Sequence, residues 1–393
     1  MSEVYLIDGA RTAFTEFGGS FSTVSAIELG TTTAVEALKR AKVKANEVDA
    51  VFYGNVIVTS KDAALTARHI ALYADIPQEV PALTLNRLCG SGLQSVVSGA
   101  QEIALGESNI VLAGGVENMS QSPYSNFQQR FHGSKLGALQ FEDMLQSTLT
   151  DSYVGLGMGQ TAENLAEKYG LTRQQQDEFA AISHQRAAVA VSSGKFAEEI
   201  VPVTVKSRKG EVVIEQDEHI RPNTTAESIA GLRTSFKKDG TVTAANASGI
   251  NDGAASVVLA SEQAVKEYAL TPLAKIISWT SVGVDPKIMG IGPVPAIKKA
   301  LERAKLAIEE IDLFEINEAF ASQFLAVEQE LQLPREKTNV NGGAIALGHP
   351  VGASGTRILL SAAYELKRRQ GKYAVVSLCI GGGQGIAAVI ERD

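Results

Sequence analysis

The feature that most narrows what this chain can fold into is that it repeats itself. Residues 37–51 read A-L-K-R-A-K-V-K-A-N-E-V-D-A-V, and residues 300–314 read A-L-E-R-A-K-L-A-I-E-E-I-D-L-F. Seven of the 15 positions are identical at an offset of 263 residues. The same offset carries Ser91-Gly92 onto Ser354-Gly355 and Ala100 onto Ala363. Separate stretches that match in one register imply two similar halves, related by a pseudo-two-fold axis. A helix start near Ser91 in one half then has its counterpart near residues 352–355 in the other, and such an arrangement could bring both turns, with His349, to one central site.

Hydrophobic periodicity supports α/β halves. Residues 4–7, 48–52, 81–85 and 109–113 read as extended, the last ending at Gly114-Gly115, while residues 27–41, 61–73 and 93–105 carry helical spacing. Alternating strands and helices make an α/β layered domain. The rhythm stops after about Ser120, where residues 121–160 are polar and rich in Gln, Ser and Gly. Thr172 and Gln175 form a capping-box signature for a helix running towards Val191. Residues 201–205 and 211–214, joined around Lys209-Gly210, read as a hairpin. These elements are too well formed for a linker, so the middle of the chain is an insertion. The α/β rhythm returns from Leu273.

Bulk properties exclude several classes. A chain of 393 residues with 45% apolar and 20% charged residues is an ordinary globular protein of two to three domains. A net charge of −8 argues against a nucleic-acid binder. No apolar run is long enough for a transmembrane helix. The opening M-S-E-V-Y-L-I runs straight into a strand pattern without a basic leader, and two cysteines give no disulfide framework. The expectation is a soluble cytoplasmic protein that does not act on membranes.

Four short stretches could carry chemistry. Cys89 lies in T-L-N-R-L-C-G-S-G-L-Q-S (residues 84–95), between an extended run and a helical one. A thiol at a helix N-terminus faces unpaired N–H groups and the positive end of the helix dipole, which favours its thiolate. The bland alternative is a small buried hydrophobe. Asn317-Glu318-Ala319-Phe320 follows a strand-like run. His349 sits in N-G-G-A-I-A-L-G-H-P-V-G-A-S-G (residues 341–355), a glycine-rich turn rather than a packed face. Cys379 lies in S-L-C-I-G-G-G-Q-G (residues 377–385). That glycine run lacks the helix, second strand and acidic residue of a dinucleotide site. Cys89, Cys379 and His349 lack the paired spacing of metal ligands, so no metal is expected. Met158 and Met289 read by themselves as gap-filling core. Two thiols and a histidine in glycine-rich turns suit acyl transfer through a thioester, with backbone N–H groups as an oxyanion hole.

The motifs C-G-S-G, N-E-A-F, G-H-P-x-G-A-S-G and C-I-G-G-G-x-G, with A-R-T-A-F at residues 10–14, give the chain a resemblance to the thiolases. Within that family it is most similar to the acetyl-CoA acetyltransferases. The resemblance implies a five-layered αβαβα thiolase fold. Residues 1–120 would form the N-terminal half, completed by about 245–269. Residues 121–244 would be the inserted loop domain that shapes the CoA site, and 270–393 the C-terminal half. It also implies reversible condensation of two acetyl-CoA to acetoacetyl-CoA and CoA, with no permanently bound cofactor. Cys89 would be the acylated nucleophile and His349 would take its proton. His349, with a water held by Asn317, would stabilise the CoA-thioester oxygen, and Cys379 would be the base at C2. The N–H groups of Cys89 and Gly381 would hold the acyl-enzyme carbonyl. Ser248 and Ser228 would contact pantetheine, and Arg221 would lie near the nucleotide end. Leu149, Met158, Met289, Ala319 and Phe320 would line the acyl pocket.

This chain departs from the family pattern at two places. Gly157 stands where many short-chain members have a histidine touching pantetheine, and Gln384 stands where methionine is frequent. Three rivals are weighed. A β-ketoacyl synthase shares the fold but carries histidine or asparagine in place of Cys379. A degradative 3-ketoacyl-CoA thiolase would take longer chains. A non-catalytic acyl-CoA-binding subunit would typically lack one of the reactive residues, all of which are present. By analogy the assembly is a homotetramer, a dimer of dimers joined by the loop around residues 121–140.

Overall fold

The computed structural model describes residues 2–133, 135–207 and 210–392. The N-terminal half contributes strands β1 (Val4–Arg11), β2 (Ala50–Gly54), β3 (Ala82–Leu85) and β4 (Ile110–Asn118). Strand β5 (Asn251–Ser261) follows the middle segment, and β6 (Ala274–Gly283), β7 (Leu313–Ile316), β8 (Tyr373–Ile380) and β9 (Gln384–Glu391) complete the set. Among the described residues these strands, with the short Thr15–Glu16 pairing beside β5, make one ten-stranded sheet in the order β7-β8-β9-β6-β1-β5-β4-β2-β3.

The sheet is two similar sheets joined at a narrow seam. β2 pairs parallel with β4, and β7 pairs parallel with β8. β4 pairs antiparallel with β5, and β8 antiparallel with β9. The halves meet where β1 touches β6, at Tyr5↔Lys275 and Leu6↔Ala274. The helices repeat as well. α1 (Ala26–Ala41), α2 (Thr66–Tyr73) and α3 (Ser91–Leu105) serve the first half. The insertion holds α4 (Met158–Tyr169) and α5 (Arg173–Ser192), and the second half has α6 (Pro293–Ala304), α7 (Ala321–Leu331) and α8 (Ser354–Arg368). α3 and α8 begin and end at the sequence offset of 263 residues. The repeat seen in the sequence is therefore a repeat in space.

Alternation along the strands assigns the layers. Leu6, Phe52, Val111 and Leu259 point to a central core shared by α3 and α8 with Val376, Leu378, Ile386 and Ala388 of the second sheet. Ile7, Val51, Leu112 and Val258 face the other way, towards α1 and α2. Phe314, Val375, Ala387 and Val389 face α6 and α7. The result is helix, sheet, central helices, sheet, helix: the five-layered αβαβα thiolase fold expected.

Two local expectations need correction. The strand read as ending at Gly114-Gly115 continues to Asn118. Those glycines are not a turn; they allow close approach. A Cβ at Gly114 would lie 2.4 Å from Tyr53 Cε1, and one at Gly115 only 2.0 Å from the Gly352 carbonyl oxygen of the other half. The run 61–73 is a 3₁₀ turn, Ala63–Leu65, before the shorter α2. In the middle segment, Thr172 and Gln175 form the capping box at the start of α5. The hairpin pairs Val203–Ser207 with Gly210–Ile214, while its joint at Lys209 lies outside the described residues. Among the described residues no helix is long and apolar enough to cross a membrane.

Candidate active site

The chain leaves β3 and turns sharply before α3. Asn86 Oδ1 accepts the Leu88 N–H at 2.9 Å, the Arg87 N–H donates to Ser91 Oγ at 2.8 Å, and Ser91 Oγ donates to the Leu88 carbonyl at 2.7 Å. These bonds hold Leu88 in the left-handed region, φ 47°, where a branched side chain is uncommon. Cys89 is the next residue, so the strained turn aims it. Gly90 and Gly92 are glycines because the other half closes in. A Cβ on Gly90 would come within 2.5 Å of Ile380 Cδ1, and one on Gly92 within 2.7 Å of the Thr356 nitrogen.

The second turn comes from the opposite half. β8 ends at Ile380, Gly382 and Gly383 take φ of 80°, and β9 returns with Gly385 opposite Cys379. This hairpin sets the Gly381 N–H against the Cys89 sulfur, which also takes the N–H of Cys89 itself. Cys379 is buried, and a charge on Cys89 acts on it directly. The two thiols therefore share one site.

His349 is fixed from three directions. Its N–H donates to Asn251 Oδ1 at 3.0 Å, its Nδ1 meets Ser354 Oγ at 2.6 Å, and its Nε2 meets Asn317 Nδ2 at 3.3 Å. Ser354 donates its own hydroxyl proton to the Pro350 carbonyl at 3.0 Å. Ser354 must then accept from His349, so Nδ1 carries the ring proton and Nε2 presents a lone pair. Asn317 is buried after β7, and its Oδ1 has no protein partner among the described residues, which leaves an acceptor to spare beside Nε2. Val351, two residues beyond His349, packs in the same apolar cluster as Cys89.

The resting site is neutral, contrary to the thiolate expected at a helix start. Burial raises the Cys89 thiol to about 11, and the nearby carboxylate of Glu117 adds to the rise. The two backbone N–H groups pull only partly the other way. Cys89 keeps some contact with solvent but is densely surrounded by protein atoms. Burial, then the charge of Cys89, pushes Cys379 higher still. Burial and the Arg357 charge lower His349 to about 3. Desolvation outweighs the helix dipole here because both halves cover the thiol.

The residues expected to line an acyl pocket divide between the two thiols. Met289, Ala319 and Phe320 are buried around Cys379, with Met158 half-buried against them. Leu149, like Cys89, packs against the cluster of Ile57, Met119, Leu145 and Val351. The Met158 N–H donates to the Leu149 carbonyl at 2.9 Å and joins the two groups. The Ser248 N–H donates to the Ala319 carbonyl at 3.0 Å, beside the same site. Ser228 and Arg221 are more distant in contact. Ser228 is exposed and donates to the Thr225 carbonyl at 2.8 Å. Arg221 is paired with Glu16 and donates to the Glu218 carbonyl.

Sequence reasoning missed Ser354, Asn251 and Glu117. Glu117, on β4, accepts the Asn55 side-chain amide and the N–H groups of Ile57, Val56 and Gly352, each at 3.0 Å. Every partner is a donor, so the pocket is shaped for the carboxylate, although burial raises it to about 8. It ties the loop after β2 to the glycine just before α8. Ser354 lies five residues from His349 inside the glycine-rich motif, and that spacing was its available signal. Asn251 and Glu117 sit in strands, where the sequence pattern gives nothing to set them apart.

A thiol with two backbone N–H groups at its sulfur, a second thiol and an imidazole whose basic Nε2 meets the Asn317 amide define an acyl-transfer site of the thioester kind. The comparisons agree. The family described as "Thiolase, N-terminal domain" matches residues 4–263, and "Thiolase, C-terminal domain" matches residues 270–392. The chain is 52% identical over 389 residues to human "3-ketoacyl-CoA thiolase, mitochondrial", covering 99% of this chain and 98% of that one. It is 50% identical over 394 residues to the "Acetyl-CoA acetyltransferase" of Cupriavidus necator, covering all of both. The crystal structure of human mitochondrial 3-ketoacyl-CoA thiolase in complex with CoA superposes with a TM-score of 0.96 at 51% identity, covering 100% of this chain and 98% of that one. The chain belongs to the thiolase family and is an acyltransferase.

Proposed function

We propose that the protein catalyses the reversible condensation of two acetyl-CoA to acetoacetyl-CoA and CoA through an acetyl-Cys89 intermediate. The observation that carries this reading is the meeting of Cys89 with the Gly381 N–H beside Cys379, two thiols from opposite halves in one site. Cys89 Sγ attacks the acetyl-CoA carbonyl and its proton passes to His349 Nε2. The carbonyl oxygen is held by the Cys89 and Gly381 N–H groups, and departing CoA takes the proton of Cys379. Cys379 is then a thiolate and His349 an imidazolium. Burial that raises the Cys379 pKa makes that thiolate a strong base for C2 of the second acetyl-CoA. The enolate oxygen is stabilised by His349 Nε2–H and by a water on the spare Oδ1 of Asn317. The carbanion attacks acetyl-Cys89, whose sulfur leaves and regains the proton from His349. Every group returns to its neutral resting form.

In this reading Ser248 and Ser228 contact pantetheine and Arg221 meets the nucleotide end of CoA; the CoA complex of the human relative supports a CoA thioester as substrate. A cytoplasmic homotetramer that binds neither nucleic acid nor membrane completes it. A second reading, a 3-ketoacyl-CoA thiolase of longer chain range, is favoured by the name of the relative at 52% identity. The test is intact mass and peptide mapping after incubation with acetyl-CoA alone, followed by thiolysis of acetoacetyl-CoA with free CoA. An acetyl group on Cys89 and cleavage of the four-carbon ester support the reading. No adduct and no cleavage of any ester would leave only an acyl-CoA-binding subunit.

A further inference from the structure

Alternation along β7 sends Leu313 into the central core with α8, while Phe314 and Ile316 face α6 and α7. Glu315 therefore points to the central layer, where Arg357 of α8 meets it, Nη1 to Oε2 at 3.9 Å. Both side chains are almost completely buried, and Arg357 Nε and Nη2 have no partner among the described residues. The neighbouring acids are held elsewhere, Glu318 by Ser183, Asn339 and the Ile345 N–H, and Glu199 by Arg11 and Ser361. Burying such a pair adds little to stability, because taking both charges out of water offsets their attraction.

The repeat shows that the fold does not need these charges. At the offset of 263 residues Glu315 corresponds to Phe52 and Arg357 to Gln94. Phe52 fills the same central core from β2, and Gln94 donates along its own helix to Ser98 Oγ at 3.2 Å. The half that carries Cys89 thus closes this layer without an ion pair. The half that carries Asn317 and His349 has one, and each member lies a step from those residues. Glu315 is two residues before Asn317, and Arg357 is about one helical turn after Ser354, which accepts the His349 Nδ1 proton. Asn317 Nδ2 meets His349 Nε2 at 3.3 Å, long for a hydrogen bond, so a small shift of β7 against α8 breaks the contact. Burial and then the Arg357 charge keep His349 neutral, so the pair is within electrostatic reach of the imidazole.

We propose that the buried Glu315–Arg357 pair is a positioning device for the reaction: it fixes the end of β7 against the first turn of α8 and so sets Asn317 against His349. The inference rests on the thiolase reading and adds which step the pair governs. Glu315 and Arg357 are positioning residues that act through Asn317 and Ser354. His349 is held by Ser354 and Asn251 independently of β7, so proton transfer from Cys89 survives loss of the pair. The oxyanion hole shared by His349 and Asn317 does not, so making and breaking the bond at C2 slows.

The test is the double variant Glu315→Phe with Arg357→Gln, which gives the second half the packing of the first. Three quantities are measured: the rate of Cys89 acetylation by acetyl-CoA alone, from quenched intact mass; kcat and KM for thiolysis of acetoacetyl-CoA; and the urea midpoint. Acetylation and KM should stay within about threefold of wild type and the midpoint should hold, while kcat falls about 30- to 100-fold. Arg357→Lys, which keeps a cation beside Glu315, should recover part of that loss. A wild-type kcat in the folded double variant would overturn the proposal. So would a parallel loss of acetylation and kcat, which a loosened core alone produces. Should the double variant not fold, Glu315→Gln decides, because it keeps the shape of the pair and removes one charge. There kcat lowered about tenfold with acetylation retained supports the proposal, and a wild-type kcat or a parallel loss overturns it. Absence of an acetyl adduct on wild-type Cys89 would sink the thiolase reading instead.

Discussion

The turns that lead into α3 and α8 are the same backbone device with different cargo. The offset of 263 residues sets Asn86 against His349, Cys89 against Gly352 and Ser91 against Ser354. In the first turn the Gly90 N–H donates to the Arg87 carbonyl at 3.0 Å; in the second, the Ala353 N–H donates to the Pro350 carbonyl at 2.9 Å. Each serine turns its hydroxyl back onto a carbonyl of its own turn, Leu88 or Pro350. One turn presents a thiol and the other a histidine, where their counterparts are glycine and asparagine. In the proposed mechanism a repeated scaffold is thus divided into nucleophile and proton carrier, and neither half holds both. The asymmetry lies in the side chains, while the matched backbone keeps the two in register.

Breaking the first turn's cargo has the largest expected effect. Cys89→Ala should abolish the acetyl adduct in intact mass and lower thiolysis by about 10⁴-fold. Residual turnover close to wild type would move the nucleophile elsewhere. On the second turn, His349→Ala should lower kcat/KM by about 10³-fold, read with acetoacetyl-CoA under saturating CoA. A loss as complete as that of Cys89→Ala would erase the division of labour.

The neutral resting state gives a sharper distinction. The Cys89 pKa is raised to about 11, so the thiol stays protonated below that pH and its reactive thiolate grows as pH rises. Alkylation by iodoacetamide, followed by mass at Cys89, should accelerate about tenfold per pH unit from about pH 6 to 9 without a plateau. A plateau at or below about pH 8 would mean an ion pair already formed with His349. The smallest difference separates the two serines. Ser354→Ala frees Nδ1 and should cost up to about tenfold in kcat and alter its pH profile. Ser91→Ala should cost about 1 kcal/mol in urea unfolding and leave the pH profile alone. Identical pH behaviour in both would remove the tautomer argument.

Much of this arrangement was legible in the sequence where one segment decides the outcome. The repeat between residues 37–51 and 300–314 gave the paired halves, and the ordered glycine motifs located both thiols and His349. What was hidden depends on the other half arriving. Cys89 read as a helix-start thiolate because its own segment supplies the dipole, while the burial that raises it comes from the hairpin after Cys379 and the turn at Val351. Gly114-Gly115 read as a strand end because their neighbours, Tyr53 and Gly352, are remote in sequence. Glu117 looked like any strand carboxyl, since its four donors come from a loop 60 residues earlier and a turn 235 residues later. Ser228 and Arg221 rest on family likeness, and neither is held against the thiols by the contacts the chain makes.

The position of β1 has a consequence for how the protein is made. Val4 pairs with Ser261 and Tyr5 with Lys275, so both neighbours of β1 lie more than 250 residues further along the chain. At about 5–20 residues per second it waits roughly 12–50 s for β5 to be synthesised. Through that interval its edges are open and its apolar residues uncovered, the condition in which strands associate wrongly. Contacts of such long sequence separation also slow the closing step. Newborn chains are therefore most dependent on chaperone cover while the middle segment is being translated, and loss of the first ten residues would unzip the sheet at its centre rather than fray its end.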